Sequence, residues 1–426
     1  MNKQVQHSSF KIVLYIKTAI LTKTYSVMKF LQRLWFWKIV IYALGNSFIG
    51  LFKPSKELAQ VYGNGDRFLL RNIRPFSPKR WLANPWMQML MAPTLYKNVS
   101  YERTTLILKD GVTITLDTLP PRQLTNSPFE KPSLEAAPIL LICHGLGSSS
   151  DNDLITNICA EAHVRRWRPI VYNRRGHSNN PTQWFPQHAQ LNDLEEVLSF
   201  INVRYPYALK ILVGISCGAN LAVKYIGSTH LPNPFLGAIS ISNGFDIDEA
   251  TKSFTPMVHN IMLEWLRSLY TSHKPLLQAT NPNLNYNLLE TTRDCREFEE
   301  QLILPIYGYH SLEEYYQSQS CCGNLDGITI PLLVLNSRDD PIVSPVLAKC
   351  AIESSNPHIL TMVTKKGGHA NWIESKGSSW LVHVITTYTE NLIFKKQFKT
   401  LEDVCRLTKM RCKVHPVKFI KPENKV

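Results

Sequence analysis

The chain has 426 residues, 44% of them hydrophobic, and a formal net charge of +14. That length holds one large α/β domain with extensions at its ends, and the apolar content supports a sizeable core. The positive charge excludes a nucleic-acid-binding body, because it is confined to the ends: residues 1–60 carry +8, residues 395–426 carry +7, and the rest is near neutral.

Nine cysteines without paired spacing do not form a disulfide framework. Cys143, Cys159 and Cys350 fall in predicted strands or helices and read as small buried apolar residues. There is no CxxC pair, histidine cluster or glycine-rich phosphate loop, so no cofactor and no metal are expected.

Residues 1–60 read as a membrane-anchor segment. Leu34 to Phe52 spans 19 residues with Lys38 as the single charge, near the minimum for a spanning helix. Trp35 and Trp37 suit an interface, and Lys38 can snorkel to it. A cleaved signal peptide fits poorly, since no small-residue cleavage site follows. Spanning the bilayer and lying in its plane both stay open, as does the orientation. The expected location is an endomembrane such as the endoplasmic reticulum, in single-pass form, with the plasma membrane as the alternative.

The body is expected over residues 95–395. Thr105–Leu108 and Val112–Leu116 predict an opening hairpin around Lys109-Asp110-Gly111. Ile139–Cys143 predicts a buried strand, followed by the flexible turn His144-Gly145-Leu146-Gly147. Leu209–Val213 is another apolar run, and Ala219–Ile226 is helix-like. Between them lies Gly214-Ile215-Ser216-Cys217-Gly218: strand, sharp turn and helix with a serine at the turn, the layout of a nucleophile elbow.

From Asn243 to Asp326 the strand–helix rhythm breaks. An amphipathic helix is predicted over Phe254–Tyr270, and the insertion reads either as a cap over the site or as a packed helical subdomain without a substrate role. Ile330–Asn336 predicts a buried strand ending in Ser337-Arg338-Asp339-Asp340-Pro341. Ile359–Thr364 predicts the next strand, followed by Gly367-Gly368-His369. A helix is predicted near Trp380–Ile393, and residues 396–426 read as a basic tail.

Serine, acid and histidine thus follow three strands in the order that a hydrolytic triad requires. Ser216 is expected as nucleophile, His369 as its base, and Asp340 as the acid that fixes the imidazole tautomer. Asp340 is preferred to Asp339 because an apolar pair, Ile342-Val343, follows it; Asp339 remains a rival. The expected oxyanion donors are the amides of Cys217 and Leu146, with the His144 ring bracing its own loop.

The chain resembles the serine α/β-hydrolase superfamily, and within it the membrane-anchored α/β-hydrolase-domain (ABHD) lipases and their bacterial relatives. The resemblance rests on His144–Gly147, on Tyr172-Asn173-Arg174-Arg175-Gly176-His177, on Gly214–Asn220 with Tyr225-Ile226-Gly227, and on Asn336–Pro341 with Gly367–His369. Ala219 and Arg338 depart from the family pattern. The resemblance implies a mostly parallel sheet flanked by helices, and a lipid ester as substrate: an acylglycerol or a phospholipid. A lipid- or steroid-binding protein on the same fold, and a small-ester carboxylesterase, are the alternatives.

Overall fold

The computed structural model describes residues 59–123, 134–177, 181–228, 232–375 and 377–412. The apolar run from Leu34 to Phe52 lies outside them. Among the described residues, no helix is long and apolar enough to cross a membrane.

Nine strands form one sheet: β1 (Gln60–Tyr62), β2 (Glu102–Ile107), β3 (Thr113–Thr118), β4 (Ile139–Cys143), β5 (Arg168–Asn173), β6 (Lys210–Ile215), β7 (Gly237–Ile241), β8 (Leu332–Ser337) and β9 (Ile359–Thr364). Their order is β1-β9-β8-β7-β6-β4-β5-β3-β2. Strands β4 to β9 run parallel, while β1, β2 and β3 join antiparallel at the two edges. From β4 the chain moves one way to β5 and the other way to β6. That reversal opens a crevice outside the carboxyl ends of the strands, where open α/β sheets bind ligands.

Both faces of the sheet are covered, which is why the central strands are continuous apolar runs rather than alternating ones. Leu140 and Ile142 face one core; Ile139, Leu141 and Cys143 face the other. The helix α1 (Pro85–Met91) precedes the hairpin. On the first face lie α2 (Asp153–Val164), through Ile155, Ile158 and Ala162, and the C-terminal helix, through Leu381, Ile385 and Tyr388. On the second lie α3 (Leu191–Arg204), through Leu194, Val197 and Ile201, and α4 (Cys217–Ser228), through Leu221 and Val223.

Residues 61–94, expected in neither the anchor nor the body, belong to this core, and so does Gln60, expected at the end of the anchor segment. Leu69, Phe76 and Leu82 are buried in the first-face core. β1 hydrogen-bonds to β9, pairing Gln60 with Val363 and Tyr62 with Thr361. Three residues are too few to give a strand signal of their own; the open edge of β9 supplies the template.

Between β7 and β8 stand the helices α5 (Ile247–Lys252), α6 (Pro256–Thr280), α7 (Tyr286–Thr291), α8 (Cys295–Tyr307) and α9 (Leu312–Gln319). Thr255 caps α6 by accepting the Val258 N–H, and Pro256 occupies the first turn, where its missing N–H costs nothing. The helix continues past the expected end at Tyr270, through Pro275 to Thr280. The insertion has its own core, with Leu266, Tyr270, Phe298, Leu302, Tyr315 and Tyr316 buried together. The C-terminal helix, α10 (Trp380–Cys412), also outruns its expected end. Residues 394–412 contain no glycine or proline, the residues that most disfavour a helix, so nothing in them stops it.

Candidate active site

Ser216 lies at the turn between β6 and α4. Its φ is +55°, a left-handed conformation that a residue with a Cβ adopts at a cost of order 1–3 kcal/mol. The Ser216 N–H donates to the Ile241 carbonyl at 2.8 Å, and the Ser216 carbonyl accepts the Ala219 N–H at 2.8 Å, so the turn is held at both ends. The flanking glycines are required by space. A Cβ on Gly214 would sit 2.5 Å from Ala219 Cα, and one on Gly218 would sit 2.1 Å from the Cys143 carbonyl oxygen. Gly218 is where the helix crosses β4 at backbone contact.

His369 follows β9 on its loop. Its Nε2 lies 3.0 Å from Ser216 Oγ. Its Nδ1 lies 2.9 Å from Asp340 Oδ2 and 3.1 Å from Oδ1. The carboxylate is itself fixed, since Oδ1 accepts the N–H groups of Ile342 at 2.8 Å and Val343 at 2.9 Å. The apolar pair that singled out Asp340 in the sequence has a packing role too: Ile342 and Val343 are buried against Trp86 and against Val258 and Ile261 of α6. Asp339 points elsewhere. It accepts the Gly368 N–H at 3.1 Å, and burial raises its carboxyl above the usual range. Asp340, not Asp339, reaches the imidazole.

A cavity of about 450 Å³ opens over Ser216. Ser216, His369, Leu146 and Cys217 all line it. Cys217 is the first residue of α4, so its N–H has no partner within the helix and adds to the positive end of the helix dipole. His144 does not face the serine. Its Nδ1–H donates to the Gly145 carbonyl at 2.8 Å, which leaves Nε2 to accept the Arg174 N–H at 3.3 Å. Burial lowers its pKa to about 3, so the ring is neutral and serves the loop. The cap contributes Phe254, Met262, Trp265 and Leu266 to the apolar wall, and Met89 and Ile342 complete it. The insertion is therefore both a packed subdomain and part of the cavity.

The alpha/beta hydrolase fold family matches residues 138–376, more than half of the chain. The chain belongs to the α/β-hydrolase fold family. This hydrolase is 25% identical over 375 residues to embryogenesis-associated protein EMB8 of Picea glauca, covering 83% of this chain and 81% of the relative. It is 28% identical to a monoacylglycerol lipase of Saccharomyces cerevisiae, over 58% of this chain and 57% of that one. It is 24% identical to the phospholipase ABHD3 of Homo sapiens, over 75% of this chain and 79% of the other.

One part of the hydrolase's site, a polar cluster around the Cys217 side chain, was not foreseen from the sequence. Five polar side chains from five segments meet beside the nucleophile. Arg174 Nη1–H donates to Cys217 Sγ at 3.2 Å, and Arg174 Nη2–H donates to the carbonyls of Gln187 at 2.6 Å and His188 at 2.9 Å. His188 Nδ1 lies 3.5 Å from the same sulfur, and its Nε2–H donates to Glu299 Oε1 at 2.8 Å. The Tyr316 hydroxyl closes the set by donating to Glu299 Oε2 at 2.6 Å. Burial alone would raise the Cys217 thiol, but the charges of Arg174 and then His188 override it and bring it down to about 6. Burial alone would lower His188; the Glu299 carboxylate and then Cys217 override it and lift it to about 10. The Arg174 guanidinium and the Glu299 carboxylate are thus buried with the Cys217 sulfur and the His188 ring between them, an arrangement in which buried charge is tolerable.

Proposed function

We propose that this hydrolase is a serine carboxylic ester hydrolase acting on lipid esters through an acyl-enzyme intermediate. The observation that carries the reading is the unbroken chain from Asp340 through His369 to Ser216, with links of 2.9 and 3.0 Å, opening into a largely apolar cavity.

In this reading His369 Nε2 takes the hydroxyl proton as Ser216 Oγ attacks the ester carbonyl. The carbonyl oxygen becomes an oxyanion, held by the amides of Cys217 and Leu146. The C–O bond to the alcohol breaks, and His369 returns the proton to the leaving alkoxide. A water molecule then repeats the sequence on the acyl-enzyme and releases the fatty acid. Asp340 keeps the proton of the neutral imidazole on Nδ1 and stabilises the imidazolium. No step calls for a metal or cofactor.

The lipid preference is supported by the apolar cap wall and by relatives named monoacylglycerol lipase and phospholipase. The N-terminal run from Leu34 to Phe52, beside basic residues, supports attachment to a membrane where such substrates reside.

The test is labelling with a fluorophosphonate probe beside turnover of p-nitrophenyl butyrate. The expected result is a single adduct on Ser216 and, in Ser216→Ala, a folded protein without adduct or turnover. A protein that binds lipid but does not react with the probe, or a Ser216→Ala variant that keeps wild-type turnover, overturns the reading.

A further inference from the structure

Glu299 stands on cap helix α8, 83 residues beyond Ser216 in the chain, and is buried at the cavity wall. Nothing in the ester chemistry uses a carboxylate there. Its two oxygens are committed to His188 Nε2 and to the Tyr316 hydroxyl, so it does not face substrate as a free base. Through His188 it reaches Cys217, the residue whose amide the proposed mechanism aims at the oxyanion.

We infer that Glu299 is a positioning residue of the hydrolytic site: by orienting His188 it clamps the Cys217 side chain against Arg174 and so ties the cap to the oxyanion hole. This rests on the serine-hydrolase reading above. An oxyanion donor must be aimed to within a fraction of an ångström, and the first turn of a helix is held by fewer hydrogen bonds than its middle. Here the clamp makes up that deficit from outside the helix. Arg174, from the loop after β5, fixes the sulfur on one side, and His188 fixes it on the other. His188 is in turn held by Glu299 alone among anions of the cap, and by the rings of Tyr315 and Tyr316 at 5.9 and 6.1 Å. Since the oxyanion exists only in the transition state, loosening its donor lowers kcat and leaves KM nearly unchanged.

The charge state gives the arrangement its signature. The groups that face His188 are Glu299 from α8, Cys217 from α4, Tyr315 and Tyr316 from α9, and Arg174 behind its own carbonyl. Glu299 is the anion that keeps the imidazole protonated through the neutral range. Without it, burial favours the neutral ring and only Cys217 still opposes that, so the ring loses its proton at a lower pH than in the wild type and the grip on Cys217 weakens as pH rises.

The experiment uses the full-length protein with Glu299→Gln and His188→Gln, checked for folding by near-ultraviolet circular dichroism. In Glu299→Gln, kcat for p-nitrophenyl butyrate should fall about tenfold between pH 6.5 and 9 with KM within about twofold, where the wild type shows no such decline. His188→Gln, which cannot titrate at that position, should have a lowered kcat without the added pH limb. Glu299→Asp should recover part of the loss. Iodoacetamide should alkylate Cys217 more slowly at pH 7 in Glu299→Gln than in the wild type, a readout that does not depend on Ser216. Wild-type kcat, pH profile and alkylation rate in a folded Glu299→Gln overturn the inference, and so does a pH-independent loss shared equally by both variants. If Glu299→Gln does not fold, a wild-type kcat in folded His188→Gln overturns it. Failure of the wild type to react with a fluorophosphonate instead strikes the hydrolase reading on which the inference stands.

Discussion

Asp339 and Asp340 are consecutive, yet their carboxylates hold different partners: Asp340 Oδ2 lies 2.9 Å from His369 Nδ1, while Asp339 Oδ1 accepts the Gly368 N–H at 3.1 Å. In the proposed triad the first contact orients the imidazole, while the second ties Asp339 to the backbone of the loop. Asp340→Asn should therefore lower kcat by about 10³ to 10⁴, because an amide in that place favours the wrong tautomer. Asp339→Asn can still accept the Gly368 N–H and should cost less than about tenfold. Steady-state kinetics on both folded variants decides the assignment, and the reverse ranking transfers the role to Asp339.

The two glycine environments separate strain from collision. Gly218→Ala places a methyl group 2.1 Å from the Cys143 carbonyl oxygen, backbone against backbone. The helix cannot keep its seat on β4, so the variant should be insoluble or unfolded. Gly308, at the end of α8, has φ of +76° and nothing within 4 Å of an added Cβ. Gly308→Ala should fold, with a loss of about 1 kcal/mol from the left-handed backbone alone. Thermal unfolding of the purified variants distinguishes the two, and a well-folded Gly218→Ala would contradict the packing described for the elbow.

Removal of residues 1–52 should leave hydrolysis of a soluble ester intact, because β1 and the buried Leu69 are retained. Removal of residues 1–75 should abolish folding. It deletes β1 and Leu69, exposes the edge of β9, and takes away Arg74, whose guanidinium bonds Glu374. Fractionation of cells expressing each form tests the anchor at the same time. Full-length protein in the soluble fraction without detergent would refute attachment through the Leu34–Phe52 run.

Chain length should matter to the substrate. Burial of each methylene against Phe254, Met262, Trp265 and Leu266 contributes about 0.8 kcal/mol, or roughly fourfold in kcat/KM. Across p-nitrophenyl esters from acetate upward, kcat/KM should rise until the cavity is full and then level or decline. A steady fall from acetate onward would leave a small-ester hydrolase and remove the lipid reading.

The amino-acid sequence by itself marked six of the nine sheet strands, Ser216 and His369 as candidates, and a pair of aspartates for the acid. Both signals are local. Apolar runs such as Leu209–Val213 and Ile359–Thr364 state that a strand is buried on both faces, and Gly214–Gly218 states that a turn there must be tight. Chain order then sufficed to pair serine, acid and histidine. Only the tertiary structure decided which aspartate turns inward, because both precede the same proline and the choice depends on a loop packed against Trp86 and α6. Only it placed residues 59–94 in the core and β1 against β9, since a three-residue strand draws its stability from a partner some 300 positions away. And only it brought Arg174, His188, Cys217 and Glu299 together. His188 and Glu299 are unremarkable in their own segments, and the motifs around Arg174 and Cys217 do not say that the two side chains meet; a buried polar cluster is defined by what the chain's folding leaves beside it, and no local pattern carries that information.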